Sequence, residues 1–386
     1  MESLFIESGH ASVNKHDESL CGDSYHITKE NGKLTVVLSD GLGSGVKANI
    51  LSTLTSTILS TLMSRKLPVD ECIETVASTL PMCKERKLAY STFTMLQVES
   101  TQARLIQYDN PRAILLRNGK NVDYSTTVRF IGEKEIHEST LYPQENDLLI
   151  LMTDGVTNAG IGKVMQEGWP RKDVIECLER WYTPDISPQH LAAMLVNAAL
   201  SLCLESPDDD ITALVFKVRQ RKAVNVIIGP PADPKDDERV LRLFFAKEGL
   251  HVVCGGTTAH TVSRYLKKPI VPIADSGTET VPAIASIEGV DLVTEGVITL
   301  QQVAELAEKY ASNNRISLSI SEKTDGVSRL ASLLFEQATD ITIFQGQAMN
   351  QAHEELDIGF DSKEMLIKRL TKSLTEMGKN VKVSRC

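Results

Sequence analysis

The sequence has no CxxC pair. Its seven cysteines, at positions 21, 72, 83, 177, 203, 254 and 386, stand singly and in odd number. That excludes a disulfide framework and a cysteine zinc site, and fits reduced thiols packed as small hydrophobes. Basic residues are in deficit, 41 Lys and Arg against 51 Asp and Glu for a formal net charge of −10. A nucleic-acid binder needs a basic footprint, so protein or small-molecule partners are expected instead. No apolar run approaches the roughly 18–20 residues that span a bilayer. The opening "MESLFIESGH" lacks the basic flank and apolar stretch of a secretory signal, so no membrane association and a cytoplasmic location are expected. Hydrophobic residues make up 42% and charged residues 24%, which excludes a disordered or fibrous chain.

At 386 residues the chain suits two domains, on a prior of roughly 150 residues each. The two halves follow different grammars. In the first, "SYHITKENGKLTVVLSDG" predicts a hairpin turned at Asn31-Gly32. "GVKANILSTLTSTILSTLMSRK" and "VDECIETVASTLPMC" then carry the three-and-four spacing of amphipathic helices. The β-rich runs "STFTMLQVES", "ARLIQYDN", "AILLRNGK" and "DLLILMTDG" follow, then helices over 171–182 and 188–204, and a last strand, "ITALVFKV". Consecutive strands with helices grouped in pairs predict a layered α+β domain over 1–220. From 221 to 386 strands and helices alternate. Strands are expected in "AVNVIIG", "LHVVCGG", "DLVTEGV", "DITIFQG" and "NVKVSRC", and helices over 236–248, 257–267, 299–311, 325–337 and 362–378. Alternation of this kind predicts an α/β domain with a mainly parallel sheet.

Within the first half, acidic residues recur at strand ends. Asp40 ends the run "VVLSD" and precedes Gly41; Asp154 ends "LLILMTD" and precedes Gly155. Asp208, Asp209 and Asp210 immediately precede a strand, and Asp23 stands at the entry to the first hairpin. Any one Asp-Gly is ordinarily a turn, and an Asp run is ordinarily a solvated loop. Several carboxylates gathered together repel one another unless a cation sits among them, and hard divalent ions prefer oxygen ligands of this kind. Gly41 lets its carbonyl approach such an ion closely. Two ions roughly 4 Å apart lower the pKa of a shared water and neutralise phosphoryl charge, which suggests phosphate-ester hydrolysis.

The ordered motifs "GDSY", "SDGLGSGVKAN", "LMTDGVTNAG" and "DDITALV" resemble the metal-dependent protein phosphatase family of type 2C. The likeness is to its bacterial branch, typified by stage II sporulation protein E, and covers residues 1 to about 220. The resemblance implies a β-sandwich flanked by helices in αββα layers, with two Mn²⁺ or Mg²⁺ at one end. It implies that Asp40 bridges both ions, that the Gly41 carbonyl binds one, that Asp154 and Asp209 complete the set, and that Asp23 acts through water. Asp209 is taken before Asp210 because "DDIT" matches the family motif when Asp209 comes first. The implied activity is hydrolysis of phosphoserine or phosphothreonine on a protein partner, in this branch often a small signalling regulator. Leu42 stands where many eukaryotic relatives have a proton-donating histidine, so no general acid is assigned. Asn158 replaces a residue often acidic in the branch, and no arginine matches the phosphate-binding arginine of eukaryotic members. His10, His16 and His26 lie near the expected cleft in sequence, without a motif to tie them to chemistry.

The second half offers a smaller signal. In "LHVVCGGTTAHTVSRYLKK" an apolar strand runs into Gly255, Gly256, Thr257 and Thr258 at a helix start, where backbone amides can receive a small anionic ligand. A threonine there is equally a plain N-cap. Glu295 ends another strand and would meet these residues if the two strands are adjacent and parallel. A regulatory, ligand-binding or partner-docking domain is expected. The alternative for the whole chain is a catalytically weak phosphatase-like module that signals through this second domain.

Overall fold

The computed structural model describes residues 4–30, 33–65, 67–79, 91–99, 101–131, 134–274, 276–277, 283–312, 325–348 and 360–386. The chain divides into two compact units, Ser8–Arg219 and a second formed by Met1–Glu7 with Gln220–Cys386. Among the described residues no helix is long and apolar enough to cross a membrane.

The first unit, whose opening strand β1 (Phe5–Val13) starts just before it, continues with β2 (Asp23–Glu30), β3 (Lys33–Gly41), α1 (Gly45–Ser64) and α2 (Val69–Thr79). Six strands follow: β4 (Ser91–Glu99), β5 (Gln102–Tyr108), β6 (Ile114–Arg117), β7 (Lys120–Asn121), β8 (Thr127–Ile131) and β9 (Lys134–Leu141). The unit closes with β10 (Leu148–Met152), α3 (Asp154–Thr157), α4 (Arg171–Trp181), α5 (Pro188–Leu202) and β11 (Ile211–Arg219). These strands form two sheets, ordered β1-β11-β10-β6-β7 and β2-β3-β4-β5-β9-β8. In the second of these every neighbouring pair is antiparallel. The β2–β3 register pairs Glu30 with Lys33; the expected turn pair Asn31-Gly32 lies outside the described residues.

Each sheet has a helix-covered face. Leu59 and Met63 of α1 and Cys72, Ile73 and Val76 of α2 pack on Val37, Met95 and Ile106. Val174 and Leu178 of α4 and Leu191, Leu195 and Val196 of α5 pack on Ile114, Ile150 and Val215. The opposite faces are buried too: Val36, Leu38 and Leu105 in one sheet and Leu151, Leu214 and Phe216 in the other are at most 2% exposed. α5 begins where its sequence says it should, with Pro188 in the first turn and the Ser187 hydroxyl accepting the His190 amide at 3.1 Å.

The second unit runs β12 (Ala223–Ile228), α6 (Asp237–Phe245), β13 (Leu250–Cys254), α7 (Gly256–Leu266), β14 (Val271–Pro272), β15 (Ala285–Ser286) and β16 (Leu292–Thr294). It continues with α8 (Val297–Ser312), α9 (Gly326–Ala331), β17 (Asp340–Gln345), α10 (Phe360–Glu376) and β18 (Asn380–Arg385). Its sheet is ordered β14-β15-β16-β13-β12-β17-β18. The strands from β16 through β18 pair in parallel, while the two short strands at the other edge are antiparallel. α6 and α7 cover one face and α8, α9 and α10 the other. The helix expected over 325–337 is α only to Ala331 and continues as a π-helical turn over Ser332–Gln337. Asp325 caps its start, its carboxylate accepting the Ser328 amide at 3.0 Å.

Candidate metal centre

The hairpin register is what first brings acidic side chains together. β2 and β3 pair antiparallel so that Asp23 lies directly across from Asp40, and like charges in that relation are destabilising unless something intervenes. Asp154 arrives from the end of β10, one residue beyond Thr153, as the first residue of α3. Asp209 and Asp210 arrive from the start of β11, which pairs with β10.

Two glycines let these segments close up. A Cβ on Gly41 would lie 2.1 Å from the Ala48 carbonyl oxygen, and one on Gly155 would lie 2.0 Å from that of Asp210. Gly41 is therefore required by the passage of α1, a constraint that the spacing of its motif does not reveal.

Burial and mutual repulsion raise the pKa values of three of these carboxyls, Asp40, Asp23 and Asp209. Burial raises Asp40 first, and then Asp23, Asp154 and Asp209 raise it further, to about 9. Asp23 is raised well above the usual carboxylate range by burial and by Asp210 and Asp209, against the opposing hydrogen bonds of Thr212 and Thr153. Asp209 is raised to about 6 by burial and by Asp154, with Lys15 offsetting part of the effect. Asp40 thus shares one electrostatic neighbourhood with Asp23, Asp154 and Asp209.

The remaining contacts show which oxygens are committed. Asp23 Oδ2 accepts the Thr153 hydroxyl at 2.8 Å, and Asp154 Oδ2 accepts the Asn158 side-chain amide at 3.1 Å. The other oxygen of each, Asp23 Oδ1 and Asp154 Oδ1, is buried and meets no hydrogen-bond donor. Asp210 Oδ1 accepts the Lys15 backbone amide at 3.0 Å, so this carboxylate fastens the segment after β1. Asp208 turns outward to Lys163 at 2.8 Å.

Among the described residues no three histidine, cysteine, aspartate or glutamate side chains are placed to hold a metal ion as they stand. The donor chemistry nevertheless fits a hard divalent cation. Hard carboxylate oxygens, two of them buried without a donor, sit where a cation would relieve the burial and repulsion that raise Asp23 and Asp40.

Leu42 is 41% exposed. None of the three histidines singled out in the sequence perturbs Asp40. His10 lies against Tyr25, with ring centroids 4.8 Å apart, and burial lowers its pKa; His16 faces Asp17 at 3.5 Å; His26 is exposed on β2. A cavity of about 600 Å³, with no counterpart among the sequence motifs, opens beside Asp154. It is lined by, among others, Asn110, Arg112, Glu135 and His137. The only local signal was the turn-forming Asn-Pro in "YDNPRA".

In the second unit, β13 and β16 are adjacent and parallel, pairing Cys254 with Thr294. Gly255, Gly256, Thr257 and Thr258 therefore sit beside Glu295 at one carboxyl edge. Gly255, at φ +110°, precedes α7, and no side chain caps that helix. Thr258 is buried, and Glu295 Oε2 is buried without a donor.

The first unit resembles the phosphatase domains of the type 2C class. Within that class, residues 30–219 match the family model of stage II sporulation protein E (SpoIIE), which bears out the resemblance read from the four motifs. Among solved structures, the chain is similar to the type 2C phosphatase domain and regulatory-domain fragment of SpoIIE from Bacillus subtilis. The two are 20% identical with a TM-score of 0.49, over 57% of this chain and 65% of that one. It is also similar to the serine/threonine phosphatase of S. agalactiae, at 16% identity and TM-score 0.42 over 56% of this chain and 100% of that one. A third likeness is to the SiaA type 2C domain of Pseudomonas aeruginosa, at 17% identity and TM-score 0.43 over 54% of this chain and 84% of that one. No curated protein matches the chain.

Proposed function

We propose that the chain is a metal-dependent phosphatase that hydrolyses phosphoserine or phosphothreonine on a protein partner in the cytoplasm. The observation that supports this most is the gathering of Asp23, Asp40, Asp154 and Asp209, with two buried carboxylate oxygens lacking any donor. In this reading the first unit is an αββα sandwich and the boundary falls near residue 221. Asp40, the Gly41 carbonyl and the carboxylates of Asp154 and Asp209 would hold two Mn²⁺ or Mg²⁺, with Asp23 acting through water. Such ions supply Lewis-acid chemistry, acidifying a water and neutralising phosphoryl charge.

The chain's own part is positional. The Thr153 hydroxyl and the Asn158 amide each occupy one oxygen of Asp23 and Asp154, which orients the other. Asp210 and Asp209 each have one oxygen on a backbone amide, that of Lys15 and that of Asp210 respectively, and Asp209 is taken as the ligand of its run because it opens the "DDIT" motif. The substrate class is a phosphorylated protein, in keeping with the bacterial branch a small signalling regulator. The second domain tunes the first, with Gly255, Gly256, Thr257, Thr258 and Glu295 as its ligand edge for a small anionic molecule.

The test is phosphate release from phosphoserine and phosphothreonine peptides by the full chain, with and without Mn²⁺, beside Asp40→Ala. Metal-dependent release that the variant loses supports the reading. Absence of release from every peptide and from a simple aryl phosphate, with metal present, overturns it in favour of a binding module.

A further inference from the structure

The cavity beside Asp154 has a wall that is held rigid from several sides. Asp109 sits in the left-handed region at φ +55°, a conformation aspartate tolerates better than most residues. Gln107 clamps the turn that follows, donating to the Pro111 carbonyl at 2.9 Å and accepting the Ala113 amide at 3.2 Å. Asn110 accepts the Thr92 hydroxyl at 2.6 Å and donates to Thr94 at 3.2 Å. Thr92 is the cross-strand partner of Asp40, so this turn is tied directly to the strand that delivers the central carboxylate. Arg171 donates to the Arg112 and Ala113 carbonyls, each at 3.0 Å.

On that wall Arg112 is fixed but not saturated. Its guanidinium lies 4.4 Å from the Tyr124 ring centroid, and Nη2 meets Asp123 at 2.9 Å and the Tyr124 carbonyl. A guanidinium has five N–H donors; here the buried Nε meets no acceptor, and the contacts to Asp123 and to the Tyr124 carbonyl both fall on Nη2. The other cationic candidate on the cavity wall, His137, faces Glu135 at 3.1 Å. Among the described residues that line the cavity, Arg112 is the permanently charged cation, and the cavity also contains Asp154.

We propose that this cavity seats the phosphorylated segment of the substrate and that Arg112 grips its anionic group. The inference rests on the phosphatase reading above and names a substrate-anchoring residue for it. The group gripped is either the phosphate itself or a carboxylate beside it in the peptide; both present paired oxygens to the guanidinium fork.

The experiment compares the wild-type full chain, Arg112→Lys and Arg112→Ala in Mn²⁺ on three substrates: a phosphoserine peptide with neutral flanks, the same peptide with acidic flanks, and p-nitrophenyl phosphate. Circular dichroism checks the fold of each variant. The alanine variant is expected to raise KM about tenfold or more with kcat changed far less, the loss of one charge-assisted contact, and lysine is expected to restore part of it. A rise on all three substrates assigns the grip to the phosphate; a rise confined to the acidic peptide assigns it to the flank. Unchanged KM on all three overturns the proposal and leaves Arg112 as a packing residue on Tyr124. Should the wild type release no phosphate, the phosphatase reading fails separately. Fluorescence anisotropy with the labelled acidic peptide then decides: binding lost in Arg112→Ala keeps the cavity assignment, and binding that is absent or indifferent to Arg112 removes it.

Discussion

The acidic edge of the first unit and the glycine-rich edge of the second use one local device, an apolar strand running into a glycine turn. They differ in what arrives there. In the first, an antiparallel register sets Asp23 across from Asp40, and the β10–β11 pair adds Asp154 and Asp209, so one sign of charge accumulates in a buried place. In the second, parallel pairing sets a helix start beside a single carboxylate, Glu295. The glycines differ to match. Those of the first edge make room for backbone, whereas a Cβ on Gly256 would meet nothing within 4 Å. A carboxylate at a strand end is thus uninformative alone; several buried together carry a cost that a bound cation would relieve.

The sharpest way to break this comparison is to neutralise one residue on the acidic edge. Asp40→Asn is expected to lower Mn²⁺-dependent phosphate release by roughly a thousandfold or more, since it removes the bridging charge at the proposed ion pair. The same variant is expected to melt no lower than wild type in EDTA. Normal turnover by this variant would falsify the assignment of the centre.

Next come the glycines. Gly41→Ala or Gly155→Ala drives a methyl group to within 2.1 or 2.0 Å of a carbonyl oxygen and is expected to cost about 3 kcal/mol, at the upper end for overpacking. Gly256→Ala, in the first turn of α7 with open space around it, is expected to be neutral or to stabilise by about 0.5–1 kcal/mol through better helix propensity. Urea unfolding of the three variants measures the contrast. Equal losses at all three positions would mean that the two edges are not built differently.

The acidic edge is also expected to leave a mark on pH dependence. Asp40 is raised from 3.8 to about 9 and Asp209 from 3.8 to about 6. For a carboxyl raised in this way the folded state holds its proton longer than the unfolded chain does. The stabilising contribution is complete below the ordinary value and is lost as pH climbs through the folded one. In EDTA the melting temperature is expected to fall from about pH 4 to about pH 9, with Asp209 contributing only to the lower part of that window. Asp40→Asn is expected to flatten the decline, and Mn²⁺ to offset it where the carboxyls would otherwise have to ionise unpaired. A melting temperature in EDTA that does not change over this range would contradict the buried, proton-held state of the edge.

How far these features were legible depends on where their signal lies. β3, β10 and β11 are continuous apolar runs, and the aspartates at their ends could be read directly. β1 could not, because its buried positions are Phe5, Glu7, Gly9 and Ala11, of which only two are apolar. Gly9 is small because a Cβ there would strike the Gln189 backbone at 2.1 Å, a contact 180 residues away in the chain. β8 and β9 are illegible for other reasons: β8 is short and leaves its apolar Val128 and Phe130 exposed, while charged residues interrupt β9, where Glu138 meets Arg104 and Arg129. The cavity wall was illegible for a third reason. Asn110, Arg112, Glu135, His137 and Asp154 come from separate segments that only the folded sheets assemble.

The smallest expected effect belongs to the glycine-rich edge. Glu295 Oε2 is buried without a donor among the described residues, yet the pair that ends the β13–β16 register is Cys254 with Thr294, with no carboxylate in it. Glu295→Gln keeps the shape and removes the charge, and is expected to change stability by no more than about 0.5 kcal/mol, as for a substitution that breaks no network. Release from p-nitrophenyl phosphate is expected to stay at the wild-type level, because the variant touches none of the carboxylates of the first unit. A stability loss several times larger would show that Glu295 is tied into the second unit as tightly as Asp23 is into the first. The two edges would then differ in the number of charges gathered and not in how firmly each is held.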